Sequence, residues 1–130
     1  MIFRCHSEIG EKICLQFFPC KNLGADTSLD YVYKQNHLTV YWGDYQPLLL
    51  KFLKGVYPTT DPTDNEIVEC FDECFMNWIG KEDWQRIIER IKGSINTKTP
   101  KNELEFYLNF TEWIETNLET NDLIMVEGNL

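Results

Sequence analysis

The longest amphipathic pattern in the chain covers residues 99–118 and predicts a helix. Thr99 followed by Pro100 is typical of a helix start, because a hydroxyl can cap the first N–H groups and proline lacks an N–H. Glutamates occupy one side, and apolar side chains recur every three or four residues on the other: Leu104, Phe106, Tyr107, Leu108, Phe110, Trp113, Ile114 and Leu118. Residues 123–126 then predict a short buried strand. Because an unpaired apolar strand promotes aggregation, we expect this strand to be inserted in a sheet.

Alternating apolar and polar positions predict strands in the first third of the chain. Residues 2–18 predict a hairpin whose turn contains Gly10 and whose second strand stops at Pro19. Residues 31–34 and 38–42 show the same alternation and predict a second hairpin. Four consecutive strands joined in this way would form an antiparallel meander.

The middle of the chain predicts helices. The dense apolar run at residues 48–53 predicts a buried helix with Pro47 in its first turn and Gly55 at its end. A further helix is predicted over residues 84–93, between a tryptophan and a glycine. Residues 63–66 match a capping box, and the apolar positions that follow are spaced as on one face of a helix: Ile67, Cys70, Phe71, Cys74, Phe75 and Trp78.

The order of these elements predicts an α+β fold. We expect a mostly antiparallel sheet with helices packed on one side and the C-terminal strand inserted in the sheet. A length of 130 residues fits a single domain, 1–130, with its own core. Hydrophobic residues make up 43% of the chain and aromatic residues 14%, which excludes a disordered chain.

We expect neither a membrane-spanning helix nor an export signal. No apolar run approaches the roughly 20 residues that a membrane-spanning helix needs. The first residues, Met1 to His6, lack the long apolar region of a secretory signal. We therefore expect a cytoplasmic protein.

The charge of the chain is strongly negative and unevenly distributed. Twelve basic and 21 acidic residues give a net charge of −9 and a pI near 4.6. Residues 1–60 contain six basic and five acidic side chains, whereas residues 61–130 contain six basic and sixteen acidic ones. Such a field repels nucleic acid and anionic membranes and attracts a basic partner. A solvated helical surface that only confers solubility has the same composition, so both interpretations stay open.

Candidate chemistry is sparse. Cys5 and His6 are adjacent on a predicted strand and would point to opposite faces, so they are badly placed to act as a nucleophile and its base. No nucleophile elbow and no phosphate-binding glycine loop occur. We therefore expect no catalytic residue, cofactor or metal. Zinc is the alternative for the cysteines, but paired C-x-x-C spacing is absent and an odd number favours reduced, half-buried thiols: Cys5, Cys14, Cys20, Cys70 and Cys74.

A corner between two predicted helices is the candidate recognition site. It contains Trp78 and Trp84, which we expect to lie mainly in the core. An exposed aromatic rim beside acidic groups would have the composition of an interface hot spot. The candidate partner-binding residues in and around this corner are Asp64, Glu69, Asp72, Glu73, Trp78, Glu82 and Asp83.

Two tracts resemble the immunity proteins of bacterial contact-dependent growth inhibition systems. One runs from Cys70 to Trp84 and begins CFDECF; the other is residues 122–130, DLIMVEGNL, after a helix that bears Trp113 and Ile114. The resemblance implies a single immunity-type domain that binds the toxic C-terminal domain of its cognate effector, often a nuclease, and neutralises it. It implies no active-site residue and transfers no contact surface.

Charge favours one mechanism for such a protein. A nuclease attracts phosphate through a basic cleft, so an acidic surface can occlude that cleft directly. We therefore favour active-site occlusion over inhibition at a distance. Two alternatives from other classes are a cytoplasmic adaptor or regulatory binding protein and a small enzyme that uses Cys5 or Cys20.

Overall fold

The computed structural model describes residues 1–130 and has an α+β fold, as predicted. A four-stranded antiparallel sheet has the strand order β2-β1-β6-β5, and β3 and β4 form a separate two-stranded hairpin. The elements are, in chain order, β1 (Cys14–Cys20), a short 3-10 helix (Gly24–Asp26), α1 (Leu29–Tyr33), β2 (Leu38–Tyr41), α2 (Trp42–Leu48), α3 (Leu50–Lys54), β3 (Thr59–Thr60), β4 (Ile67–Val68), β5 (Met76–Gly80), α4 (Lys81–Ser94), α5 (Lys101–Leu118) and β6 (Leu123–Gly128).

The C-terminal strand β6 lies inside the sheet, between β1 and β5, which confirms the prediction. Its first four side chains are fully buried. Because successive side chains of a strand point to opposite faces, Ile124 and Val126 enter the main core, while Leu123 and Met125 enter a second, smaller cluster. Strand β6 therefore contributes side chains to both hydrophobic clusters of the protein.

The main core lies between one face of the sheet and helices α2 to α5. Trp84 is fully buried and donates its indole N–H to the Ile124 carbonyl oxygen at 3.2 Å. Phe110 packs edge-on against Phe17, with ring centroids 5.4 Å apart. The helices predicted over residues 84–93 and 99–118 are confirmed as α4 and α5, although Leu108 is 52% exposed. Thr99 does not cap α5; its hydroxyl accepts the Asn96 N–H at 3.0 Å.

The other face of the sheet is partly covered by α1, where a strand was expected. The Ser28 hydroxyl accepts the Tyr31 N–H at 3.2 Å and caps this one-turn helix. Val32 is thereby placed against Phe18 and Met125 in the second cluster. The prediction of a strand at residues 31–34 was wrong, because alternating tyrosine and valine side chains also suit a short helix with one buried residue.

The predicted first hairpin and the meander are not formed. Only an isolated parallel bridge joins Ile2 to Thr39, beside β2, and β1 runs through Pro19 to Cys20. Gly10 does lie in a turn, with φ at 102°. The sheet is closed by long-range pairing with β6, which the local alternation of residues cannot indicate.

A buried carboxylate fastens the N-terminal segment. The helix that was predicted over residues 48–53 is preceded by α2, so Asp44 lies in a first helical turn and is fully buried. Asp44 accepts hydrogen bonds from the backbone N–H groups of Cys5, His6 and Ser7 and from the Ser7 hydroxyl, at 2.5 to 3.1 Å. One side chain thus satisfies three backbone donors that are distant in sequence.

The helix predicted over residues 67–78 was wrong. Both the N–H and the hydroxyl of Thr63 bond to the Asp61 carboxylate, at 2.8 and 2.6 Å, so Thr63 caps no helix. Asn65 has φ at 63°, in the left-handed region that asparagine tolerates. These side chains favour a chain reversal over a helix start. The result is the β3–β4 hairpin, then a loop, then β5.

Gly128 lies where the chain at Glu73 crosses the end of β6. A Cβ atom at Gly128 would stand 1.9 Å from the Glu73 carbonyl oxygen and 2.6 Å from its carbonyl carbon. We expect Gly128→Ala to lower the free energy of unfolding by about 2–3 kcal/mol in urea denaturation, because backbone must move to relieve the clash. Gly93→Ala is the matched control: open space surrounds its Cβ position in α4, and alanine is the better helix former. Equal stability of the two variants would show that the crossing is loose.

Candidate protein-interaction surface

One stretch of the chain contains no positive charge. Between Lys54 and Lys81 there is no lysine or arginine, and six carboxylates occur there. All six lie in residues 61–76, which we call the acidic segment. The segment comprises the turn of the β3–β4 hairpin, strand β4, the following loop and the first residue of β5. It therefore contains six of the 21 acidic residues of the protein and no basic residue.

The acidic segment also exposes apolar side chains. Ile67 is 72% exposed, Phe75 65% and Met76 37%. Ile67 and Phe75 were expected on the buried stripe of a helix. Because this helix does not form, they point to solvent among carboxylates. Exposed large apolar side chains grouped in one segment are typical of a surface that binds another protein.

A groove borders the acidic segment. It has a volume of about 320 Å³ and lies between α3 and the loop after β4. Tyr57 and Phe71 form an aromatic pair in it, with centroids 6.0 Å apart. Burial raises the pKa of Tyr57, and the nearby charges of Asp83 and Asp61 raise it further. The groove is also lined by Lys54 and Glu69, so it combines an aromatic wall with one group of each charge.

Four of the predicted partner-binding residues are exposed. Asp64, Glu69 and Asp72 lie in the acidic segment, and Glu82 lies in the first turn of α4. Asp64 accepts the Glu66 N–H at 2.9 Å, and Asp72 accepts the Cys74 N–H at 2.8 Å. These two aspartates therefore shape the loops as well as charge them, whereas the side chains of Glu66 and Glu69 make no such contact.

The other three predicted residues face inward to different degrees. Glu73 is half-buried, 3.6 Å from the Lys54 ammonium and 3.5 Å from the Tyr45 hydroxyl; burial and this carboxylate raise the pKa of Tyr45 to about 12. Asp83 is buried and bonds to the Thr59 hydroxyl and the Arg86 guanidinium. Trp78 is half-buried against the second cluster. Glu73 thus attaches the acidic segment to α2 and α3, and Asp83 attaches the start of β3 to α4.

Asn77 holds the loop of the acidic segment against β6. Its side-chain oxygen accepts the Asp72 N–H at 2.7 Å, and its side-chain nitrogen donates to the carbonyl oxygens of Asp72 at 2.7 Å and Val126 at 3.0 Å. The side chain is buried, so these bonds are shielded from water. The loop is therefore pre-formed, which lowers the entropy cost of binding.

Some residues of this surface were not predicted from the sequence as binding residues. Ile67 and Phe75 were missed because their spacing also fits the buried stripe of a helix, Met76 was not assigned a role, and Glu66 was assigned to a capping box. The absence of lysine and arginine between Lys54 and Lys81 was the signal that marks the segment. A comparison of net charge between residues 1–60 and 61–130 does not show this signal, because it averages the segment with the rest of the second half.

The chemistry of the thiols and of metal binding is limited. No group of three or more histidine, cysteine, aspartate or glutamate side chains is arranged to hold a metal ion. Burial raises the pKa of the Cys5, Cys14 and Cys20 thiols, to about 11 for Cys20, and nearby carboxylates add to each shift. His6 pairs with Glu103 at 3.0 Å. These three thiols stay protonated near neutral pH, unlike activated nucleophiles.

Thiol reactivity tests the observed structure of residues 67–78, which differs from the predicted helix. Cys70 and Cys74 are exposed and Cys20 is buried. We expect iodoacetamide at pH 8 to alkylate Cys70 and Cys74 first in the native protein, and Cys20 only after unfolding, because alkylation needs an accessible thiolate. Mass spectrometry of peptides after short labelling measures the order. Early labelling of Cys20 would contradict the burial of the second cluster.

The fold and the acidic segment define a small α+β protein with a candidate protein-docking surface. No family model, curated protein or solved structure matches the chain. None of its α-helices is both long and apolar enough to cross a lipid bilayer. Inference about function therefore depends on the residues of the chain itself.

Proposed function

We propose that this chain is a cytoplasmic immunity protein that binds and neutralises the toxic C-terminal domain, a nuclease, of a cognate contact-dependent inhibition effector. The observation that carries the proposal is the acidic segment, where six carboxylates and three exposed apolar side chains occur without a positive charge. This composition is complementary to a basic protein. The resemblance of the tracts 70–84 and 122–130 to immunity proteins indicates which class of basic protein.

The two parts of the surface have different roles in this proposal. The carboxylates attract the basic cleft of the nuclease from a distance and raise the association rate, an effect that salt screens. Ile67 and Phe75 are dehydrated in the complex and slow its dissociation. Together they place a negatively charged, apolar cover over the site that would otherwise bind phosphate.

The chain itself performs no chemical step in this mechanism. Neutralisation requires only stoichiometric binding, so each bound toxin molecule occupies one inhibitor. The raised pKa values of the Cys5, Cys14 and Cys20 thiols are consistent with this, because a cysteine enzyme needs a thiolate at neutral pH.

The experiment is co-expression with the C-terminal domain of the protein encoded by the adjacent upstream reading frame, which the proposal requires to be basic and toxic. We expect bacteria that produce this domain to stop growing, and growth to be restored when the present chain is produced with it. With purified proteins, nuclease activity should fall linearly with added chain and vanish at equal molar amounts.

Two results would contradict the proposal. One is a tight complex that leaves nuclease activity intact, which would indicate an adaptor or a regulatory binding protein. The other is inhibition that continues far below equal molar amounts, which would indicate an enzyme that inactivates its target.

A further inference from the structure

The two edge strands of the four-stranded sheet differ in whether another segment of the chain pairs with them. At one edge, β2 is covered by the N-terminal segment: the Phe3 N–H donates to the Thr39 carbonyl oxygen at 3.4 Å, and the Thr39 N–H donates to the Met1 carbonyl oxygen at 2.9 Å. At the other edge, β5 has no strand or chain segment paired to its outer side. The sheet therefore ends in one closed edge and one open edge.

The backbone groups available on the open edge follow from the pairing of β5 with β6. Gly128 donates its N–H to the Phe75 carbonyl oxygen at 3.0 Å, and Leu130 donates to Glu73 at 3.3 Å. In an antiparallel pair the inward and outward residues alternate. The N–H and C=O groups of Met76 and Trp78 therefore point away from β6, and they have no partner in the chain.

Two features that normally keep edge strands from pairing, charge and proline, are absent from β5 itself, although Pro62 packs beside Gly80 at the end of the strand. β5, Met76–Gly80, contains no charged residue and no proline, and it is bordered by exposed Phe75. Another copy of the chain is a poor occupant, because each copy would bring its acidic segment, with six carboxylates, to the same edge. A basic strand brings opposite charge instead.

We propose that an extended, lysine- or arginine-bearing segment of the protein partner docks on β5 and adds a fifth strand to the sheet. Main-chain hydrogen bonds to Met76 and Trp78 provide the pairing, while the carboxylates of the acidic segment select a basic strand. This inference rests on the proposed function for the nature of the partner, and it adds how the partner is recognised.

The test uses a short synthetic peptide of alternating lysine and valine as the probe. Its control is the fully N-methylated analogue, which keeps the charge and side chains but cannot pair as a strand. We expect the parent peptide to bind at low ionic strength and the analogue to bind at least about tenfold more weakly. Amide hydrogen exchange should show that Met76 and Trp78 N–H groups become protected on binding.

The outcomes separate this inference from the proposed function. If both peptides bind equally, or if the Met76 and Trp78 amides stay unprotected, docking on β5 is overturned while attraction of basic proteins stands. If a glutamate–valine peptide binds as well as the lysine–valine one, the basic character of the strand is overturned. If no peptide binds, β5 docking is rejected and the co-expression result still decides the proposed function.

Discussion

Removal of residues 123–130 is expected to prevent folding, whereas removal of residues 129–130 alone should leave a folded protein. Strand β6 pairs with β1 on one side and with β5 on the other, and its first four side chains are fully buried in the two hydrophobic clusters. Without β6, no strand lies between β1 and β5, and the main core loses the side chains of Ile124 and Val126. The shorter truncation removes only surface hydrogen bonds of Asn129 and Leu130, worth about 1–2 kcal/mol.

Circular dichroism and thermal melting measure the effect of both truncations. The longer truncation should show no cooperative transition, and the shorter one should melt cooperatively at a moderately lower temperature. A cooperative transition in the longer truncation would mean that β1 and β5 can rearrange into a stable sheet without β6.

Asp44→Ala should lower the free energy of unfolding by about 3–5 kcal/mol. The carboxylate is fully buried and accepts hydrogen bonds from three backbone N–H groups and one hydroxyl in the N-terminal segment. Alanine would leave these part-buried donors without their acceptor, and each donor that water cannot then reach is costly. The N-terminal segment should then detach from α2, which would also uncover the β2 edge.

Urea denaturation of matched variants measures this prediction. Asp44→Asn keeps one acceptor oxygen and should lose less stability than the alanine variant. Asp30→Ala removes an exposed aspartate from the first turn of α1 and should cost under about 1 kcal/mol. If Asp44→Ala were no more costly than Asp30→Ala, the buried carboxylate would not be what holds the N-terminal segment.

The helices and strand of the C-terminal third were predictable because their patterns are long and unambiguous. In α5 the apolar positions keep helical spacing over five turns, and the short apolar run after it can only be buried by pairing. Both features survive in the structure as α5 and β6. Their neighbours in the sheet were not predictable, because pairing with β1 and β5 joins residues far apart in sequence.

The middle of the chain was mispredicted because its spacing fits two structures. Ile67, Phe71 and Phe75 are four residues apart, as on a helix, but Asn77 and Ile79 are two apart, as on a strand. Local turn chemistry at Asp61 and Asn65 decides between them, through side-chain hydrogen bonds and a positive φ. The same error hid the exposed apolar side chains, since a residue assigned to a buried stripe is not considered for binding.

The candidate site was predictable in its charge and not in its geometry. Asp64, Glu69, Asp72 and Glu82 are exposed, as a binding surface requires. Asp83 instead pairs with Arg86 three residues further along α4, a helical spacing that the sequence does contain. Glu73 pairs with Lys54, far away in sequence, and no local pattern indicates that pair. Asp44 shows the same limit, because its partners lie at residues 5–7.

If the acidic segment attracts a basic protein partner, then reversing the charge of two of its unpaired carboxylates should slow the association of the two proteins. Glu66→Lys with Glu69→Lys reverses exposed charges in the segment whose side chains make no hydrogen bond or ion pair, and Glu105→Lys with Glu112→Lys makes the same change in net charge on the exposed face of α5.

The measurement is the association rate constant with the toxin domain that the proposed function assigns as the partner, by stopped flow over a range of ionic strengths. We expect the segment variant to associate about tenfold more slowly at low salt and with a weaker salt dependence, while the α5 variant stays near the parent chain. Equal rate constants for the two variants at every ionic strength would show that the acidic segment does not attract the partner.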